Sequence, residues 1–251
     1  GSSCSASPSS VRASVATDAP IATGAPLCLD WRQQQVNPFP IKRKSDGTPI
    51  PTSRIVGGKT MVRDPKTVCG VTVHQTACVF GPAADPNKKY KRAMGIPAQG
   101  VAFRDGVYVI TAPLLWYLYH GNSLNAPTLG LEIEGMYPGL LDDPTTVARE
   151  DEKTTWGGKA TPLDDLTIAT ARAALRFLVE EGRKEGMPLE FVYAHRQSND
   201  NKPSDPGQGI WEHVVLDYAV KVLGLKTQPQ RAFGDGRPIP KQWEPGAKAA
   251  Y

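Results

Sequence analysis

The chain has 251 residues, 40% of them hydrophobic and 22% charged, the balance of a globular protein with material for one sizeable core. A formal net charge of +4, with no basic run interleaved with aromatics, does not point to nucleic acid. The longest apolar stretch, Val109 to Tyr119, is broken by Thr111 and Pro113 and falls short of the roughly 20 residues that span a bilayer, so no transmembrane segment is expected.

Taken in chain order, Gly1-Ser2-Ser3 has the look of a cloning remnant, so a leader peptide could have been lost. Cys4 reads either as a former lipid-anchor cysteine or as an incidental thiol. Residues 1–26 are mostly Ser, Ala, Thr and Pro, a composition that cannot offset its chain entropy by burial, and they predict a disordered linker or tail. Residues 27–66 carry Trp31 and Phe39 among prolines and the turn signal Ser45-Asp46-Gly47, which predicts an arm packed on the domain.

The regular domain is expected over 67–225. Val68, Val71 and Val73 mark a strand ending on His74. Gly100 to Ile110 reads as two strands joined across Arg104-Asp105-Gly106, and a Leu-Trp-Tyr segment leads from there to His120. Thr128 to Glu134 alternates, with Leu129, Leu131 and Ile133 on one face and Gly130, Glu132 and Glu134 on the other, so two carboxylates share a face. Met136 to Lys159 has no period and suits a functional rim or lid, with Trp156 as a lid contact.

Thr161-Pro162, followed by Asp164 and Asp165, predicts a helix start, and the helix should run to Lys184 with Gly186 at its stop. Leu189 to Ala194 is a further strand, ending on His195. After the turn at Asp205-Pro206-Gly207, Ile210 to Leu223 predicts an amphipathic helix carrying His213 outside any motif. Residues 226–251, rich in Pro and Gly, predict a surface-hugging tail.

Two of the four histidines, His74 and His195, therefore end strands that can lie side by side, where an imidazole faces a cleft. Asp205 follows ten residues after His195. Two imidazoles and a carboxylate supply three of the four tetrahedral positions around zinc, although the same side chains also suit capping or turn-stabilising roles. Cys69 and Cys78 flank His74 and could pair as a disulfide; as a zinc cluster with His74 they lack a nearby fourth ligand. Asn122 and Asn125, beside His120, offer amides to a sugar or peptide or serve as turn formers.

Five short motifs in order resemble a family. They are Val71-Thr72-Val73-His74-Gln75-Thr76-Ala77, Phe103-Arg104-Asp105-Gly106, Tyr119-His120-Gly121, Leu129-Gly130-Leu131-Glu132-Ile133-Glu134-Gly135, and Ala194-His195-Arg196-Gln197 followed by Ser204-Asp205-Pro206-Gly207. Together they are similar to the type 2 N-acetylmuramoyl-L-alanine amidases, which share their fold with peptidoglycan recognition proteins and phage amidase lysozymes. The resemblance runs from Thr67 to Leu223.

The fold expected is mixed α/β: a central mixed β-sheet flanked by helices, with a zinc cleft at one edge and long terminal arms. The resemblance implies Zn2+ on His74, His195 and Asp205, with Glu132 as general base; Glu134, on the same face, is the alternative base. It also implies a groove for peptidoglycan or muropeptide fragments, for which His120 and Asn125 are the substrate-binding candidates. An extracytoplasmic location, periplasmic or secreted, goes with such a substrate. Relatives carry an oxyanion-stabilising lysine two residues before the aspartate, where this chain has Pro203; Lys202, one residue earlier, is the candidate, with Ser204 as a possible hydrogen-bond donor. Competing readings are a non-catalytic peptidoglycan-binding module on the same fold and a zinc hydrolase of ordinary peptide bonds.

Overall fold

Short runs of alternating apolar residues build one seven-stranded sheet in a computed structural model that describes residues 24–81, 86–147 and 159–245. Cys4 and Trp156 lie outside the described residues, as do parts of the expected tails and of the 136–159 loop. The strands in chain order are β1 (Leu27–Asp30), β2 (Lys42–Arg43), β3 (Pro49–Ile50), β4 (Ile55–Val56), β5 (Lys59–Thr60), β6 (Gly70–Gln75), β7 (Gly100–Ala102), β8 (Val107–Ile110), β9 (Thr128–Ile133), β10 (Pro138–Leu140), β11 (Asp143–Val147), β12 (Phe191–Ala194) and β13 (Lys226–Thr227). The sheet has the order β1-β8-β7-β9-β6-β12-β13 and is parallel except between β7 and β8. The remaining strands form three small hairpins, β2 with β3, β4 with β5 and β10 with β11.

Both terminal segments do more than pack on the surface. β1, inside the expected arm, pairs with β8 from Leu27 opposite Val107 to Asp30 opposite Ile110, and β13 of the C-terminal segment pairs with β12. The sheet thus begins at Leu27 rather than at Thr67. A four-residue and a two-residue strand are too short to show a period, which hides them in the sequence.

Strand alternation gives the sheet two different faces. Val71, Val73, Leu129, Leu131 and Ile133 point to one of them, where they join Ala171, Ala174, Leu175 and Leu178 of the long helix in the main core. Each such large side chain, fully buried, contributes roughly 1.5–3 kcal/mol. The other face carries Thr72, His74, Thr128, Gly130 and Glu132.

Helix α1 (Pro86–Lys91) is short, and α2 (Asp165–Lys184) is the long helix on the apolar face. The helix α2 starts later than Thr161-Pro162 predicts, because Asp164 takes the cap: its Oδ1 accepts from Thr167 N at 2.8 Å. Thr161 instead binds Met136, donating its N–H to Met136 O and accepting from Met136 N. Near the C-terminus α3 (Gln208–Ile210) runs directly into a π-helical stretch, Trp211–Val220, whose Trp211, Val214, Val215 and Ala219 are buried. Among the described residues no helix is long and apolar enough to cross a membrane.

Cys69 and Cys78 are both thiols. They stand beyond opposite ends of the six-residue β6, and a strand rising about 3.3 Å per residue keeps them much farther apart than the roughly 7 Å between Cα atoms that a disulfide tolerates. Among the described residues Cys28, on β1, is disulfide-bonded.

Candidate metal centre

The parallel strands β9, β6 and β12 end side by side, with His74 in register with Glu132 and Val73 with Ala194. His195, one residue beyond β12, therefore arrives beside His74, their ring centroids 4.5 Å apart. Asp205 reaches in from the following loop. One donor atom from each of His74, His195 and Asp205 lies within 4.8 Å of the others, and all three residues are buried. The three expected ligands thus converge at the carboxyl-terminal edge of the sheet, where open α/β folds commonly form clefts.

Partners behind the histidines set their tautomers. His120 Nε2 is 3.3 Å from Thr128 O, which can only accept, so the proton sits there and His120 Nδ1 is an acceptor. His74 Nε2, 3.0 Å from that nitrogen, is then the donor, and the lone pair of His74 is left on Nδ1. Likewise Asn122 Oδ1 accepts from Asn199 Nδ2 at 3.2 Å and from His195 Nε2 at 3.1 Å, which places a proton on Nε2 and turns Nδ1 toward Asp205. His195 Nδ1 and Asp205 Oδ2 stand 3.1 Å apart.

Burial foremost, then the neighbouring His195 and His120 rings, holds the pKa of His74 well below 6.5. Burial and the nearby Arg63 charge push His120 down to about 3. Two imidazoles and a carboxylate whose ligand atoms converge form a donor set suited to a divalent cation such as zinc.

The supports for this arrangement include residues that sequence motifs do not single out. Gln75 N donates to Asp205 Oδ1 at 2.9 Å, and the Gln75 side-chain amide spans the carbonyls of Tyr137, Ser204 and Pro206, each at 2.9 Å, while its Oε1 accepts from Tyr137 N. One glutamine therefore ties the aspartate loop to β6. Buried Arg63 donates to the carbonyls of Leu114, Leu115, Asn125, Ala126 and Thr128, fixing the segment that carries His120; burial lowers its pKa to about 10. Gly130 lies under His120, where any Cβ would come within 2.7 Å of the ring's Cγ.

The C-terminal segment braces His195 from outside. Phe233 N donates to Gln197 O, Arg237 N to Arg196 O, and Arg196 Nε to Pro238 O. A Cβ at Gly236 would lie 1.9 Å from Gln197 O, so only glycine allows this approach. Nothing in its Pro/Gly-rich composition marks the segment as part of a site.

The carboxylates on β9 and just past its end differ. Glu132 Oε1 is 4.0 Å from His74 Nδ1, and its Oε2 is buried without a hydrogen-bond partner. Burial, followed by repulsion from Asp205, pushes its pKa up to about 8, while Lys42 and Lys202 pull it back. Glu134 is fully buried and accepts from Phe80 N and Arg104 N, with Lys89 Nζ at 3.8 Å. It clasps two loops together.

His120 and Asn125, the expected substrate contacts, are turned into the protein. Both ring nitrogens of His120 have protein partners, and Asn125, 8% exposed, accepts from Gly121 N through Oδ1 at 2.6 Å. Lys202 stands close enough for its charge to act on both Glu132 and His74. Ser204 is buried next to Asp205. A separate cavity of about 440 Å³ between Trp31, Val36, Pro40 and Met94 is apolar and contains none of these groups, so the converging lone pairs rather than the cavity mark the site.

No protein-family model matches the chain, and no curated protein does. Among solved structures it is similar to the N-acetylmuramoyl-L-alanine amidase LysC from Clostridium intestinale, with a TM-score of 0.43 and 12% identity over 80% of this chain and 99% of that one. It is also similar to the endolysin amidase LysCS of the same organism, with a TM-score of 0.39 and 16% identity over 66% and 90%. Drosophila PGRP-LB aligns with a TM-score of 0.43 and 13% identity over 79% and 95%. These likenesses are distant, and the functional reading rests on the side chains of the cleft.

Proposed function

We propose that this chain is a zinc-dependent hydrolase of the amide bond between N-acetylmuramic acid and L-alanine in bacterial peptidoglycan. The observation that carries the hydrolase reading is the convergence of His74, His195 and Asp205, one ligand atom of each within 4.8 Å of the others, with the Glu132 carboxylate, its Oε2 without a partner, 4.0 Å from His74 Nδ1. The substrate comes from the five ordered sequence motifs and their resemblance to the muramoyl-alanine amidases. An extracytoplasmic site of action follows from that substrate.

Zinc held by His74, His195 and Asp205 supplies a Lewis acid that activates water and polarises the amide carbonyl. The protein's own residues do the rest. Glu132 takes the proton of the attacking water and delivers it to the leaving amine. His120 and Asn122 hold the ligand tautomers and so act as positioning residues. Lys202 offers positive charge to the developing oxyanion from one position before the place its relatives use.

The decisive experiment incubates zinc-loaded protein with purified sacculi and measures newly freed L-alanine amino termini. Release supports the proposal; none from a folded, metal-loaded protein sinks it. A non-catalytic binding module on the same scaffold is disfavoured by the retained, unpartnered Glu132.

A further inference from the structure

Beyond the metal centre, the arm is the surface that composition alone leaves unexplained. Among the described residues, six of the ten exposed large hydrophobic side chains fall within residues 36–62: Val36, Ile41, Ile50, Ile55, Val56 and Val62. The same stretch holds five exposed cations, Lys42, Arg43, Lys44, Arg54 and Lys59, against the single carboxylate of Asp46. That excess of four equals the formal net charge of the whole chain, so the other residues sum to neutrality.

The cations and aliphatics are interleaved by the fold. Lys42 lies opposite Ile50 in the β2–β3 ladder, and Val56 opposite Lys59 in the β4–β5 ladder. Residues directly opposite in an antiparallel pair share a face, so each hairpin presents a cation beside an aliphatic side chain. Only residues 51–54 separate the two ladders, which keeps them within about 15–20 Å along the chain.

These hairpins have buried feet. Phe39 is 1% exposed, Thr60 N donates to Asn37 Oδ1 at 2.7 Å, and Thr52 O accepts from Tyr119 N at 2.9 Å. The last bond sets the arm one residue from His120.

A purely polar polyanion is met by cations alone and leaves the aliphatics in water. An anionic bilayer takes both, phosphates against Lys and Arg and aliphatic side chains beneath the headgroups. We propose that the β2–β3 and β4–β5 hairpins form a docking surface for an anionic phospholipid bilayer. This is independent of the amide chemistry.

The test is co-sedimentation of the full chain with vesicles of phosphatidylglycerol mixed with phosphatidylcholine, and with phosphatidylcholine alone. Binding is expected only to the anionic vesicles and is expected to fall with added salt. Replacing Lys42, Arg43 and Lys44 together by Gln should weaken it about a hundredfold. Ile55→Ser with Val56→Ser should weaken it about tenfold or more. Zinc content and circular dichroism should match wild type in both variants. Equal binding to neutral vesicles, no binding to anionic ones, or unchanged binding by the serine variant each overturns the proposal. In the last case, retention of both proteins on immobilised polyphosphate would reassign the patch to a polyanion.

Discussion

Around the candidate metal centre, each side-chain polar atom of Gln75 has a partner and each histidine is backed by a second residue, whereas residues 41–50 of the neighbouring arm are exposed throughout. The contrast separates two ways of presenting charge. In the floor, burial raises the cost of every unpaired polar group, so geometry is overdetermined and an atom left without a partner, such as Glu132 Oε2, stands out. On the arm, water satisfies whatever the chain leaves unpaired, and an isolated lysine there says little; only the pattern of cations beside aliphatics carries meaning.

The floor should therefore break abruptly. Asp205→Ala leaves the two histidines without their carboxylate, and zinc affinity measured by competition with a chelator should fall by more than the 10–100-fold that loss of a supporting residue costs. Glu132→Gln should leave zinc bound and lower turnover of sacculi by about 10²–10⁴-fold. Near-normal turnover in that variant would remove Glu132 from the proton transfer. Removal of zinc by dialysis against chelator should abolish activity, and readdition should restore it.

Supports one layer out should cost less. Gly130→Ala drives a methyl group into the His120 ring, and Gln75→Ala releases the Asp205 loop; each should weaken zinc binding by roughly 10–100-fold. Affinity unchanged in both would show that the ligands hold themselves, without the scaffold behind them.

The floor was also the more legible region in the sequence, for a physical reason. His74, Glu132 and His195 end or closely follow period-2 runs long enough to read as strands, and Asp205 sits in a turn with Pro and Gly. Legibility stopped where support comes from far along the chain. Gln75 reaches residues 204–206, Arg63 reaches 114–128, and Phe233 to Pro238 grip 196–197, pairings that no local pattern encodes. The partners of His120 and Asn125 are hidden in the same way: a histidine and an asparagine in a loop look available until the groups they bond to are seen. Alternation placed Glu134 on the face of Glu132, but the strand ends at Ile133 and the backbone beyond it folds Glu134 onto Phe80 N and Arg104 N.

That last pair gives the smallest effect on catalysis and the sharpest test of the floor's logic. Glu134→Gln keeps an acceptor for one loop amide and removes the charge beside Lys89, so stability in denaturant titration should drop by about 1–3 kcal/mol. Turnover per folded, zinc-loaded molecule should stay within a few-fold of wild type. The two carboxylates stand two residues apart, one on β9 and one just past its end, and substitution to Gln changes each by the same atoms. A large loss of turnover at Glu134 with stability intact would mean that hydrogen-bond saturation does not separate structural from catalytic carboxylates here, and the base would have to be sought at both positions.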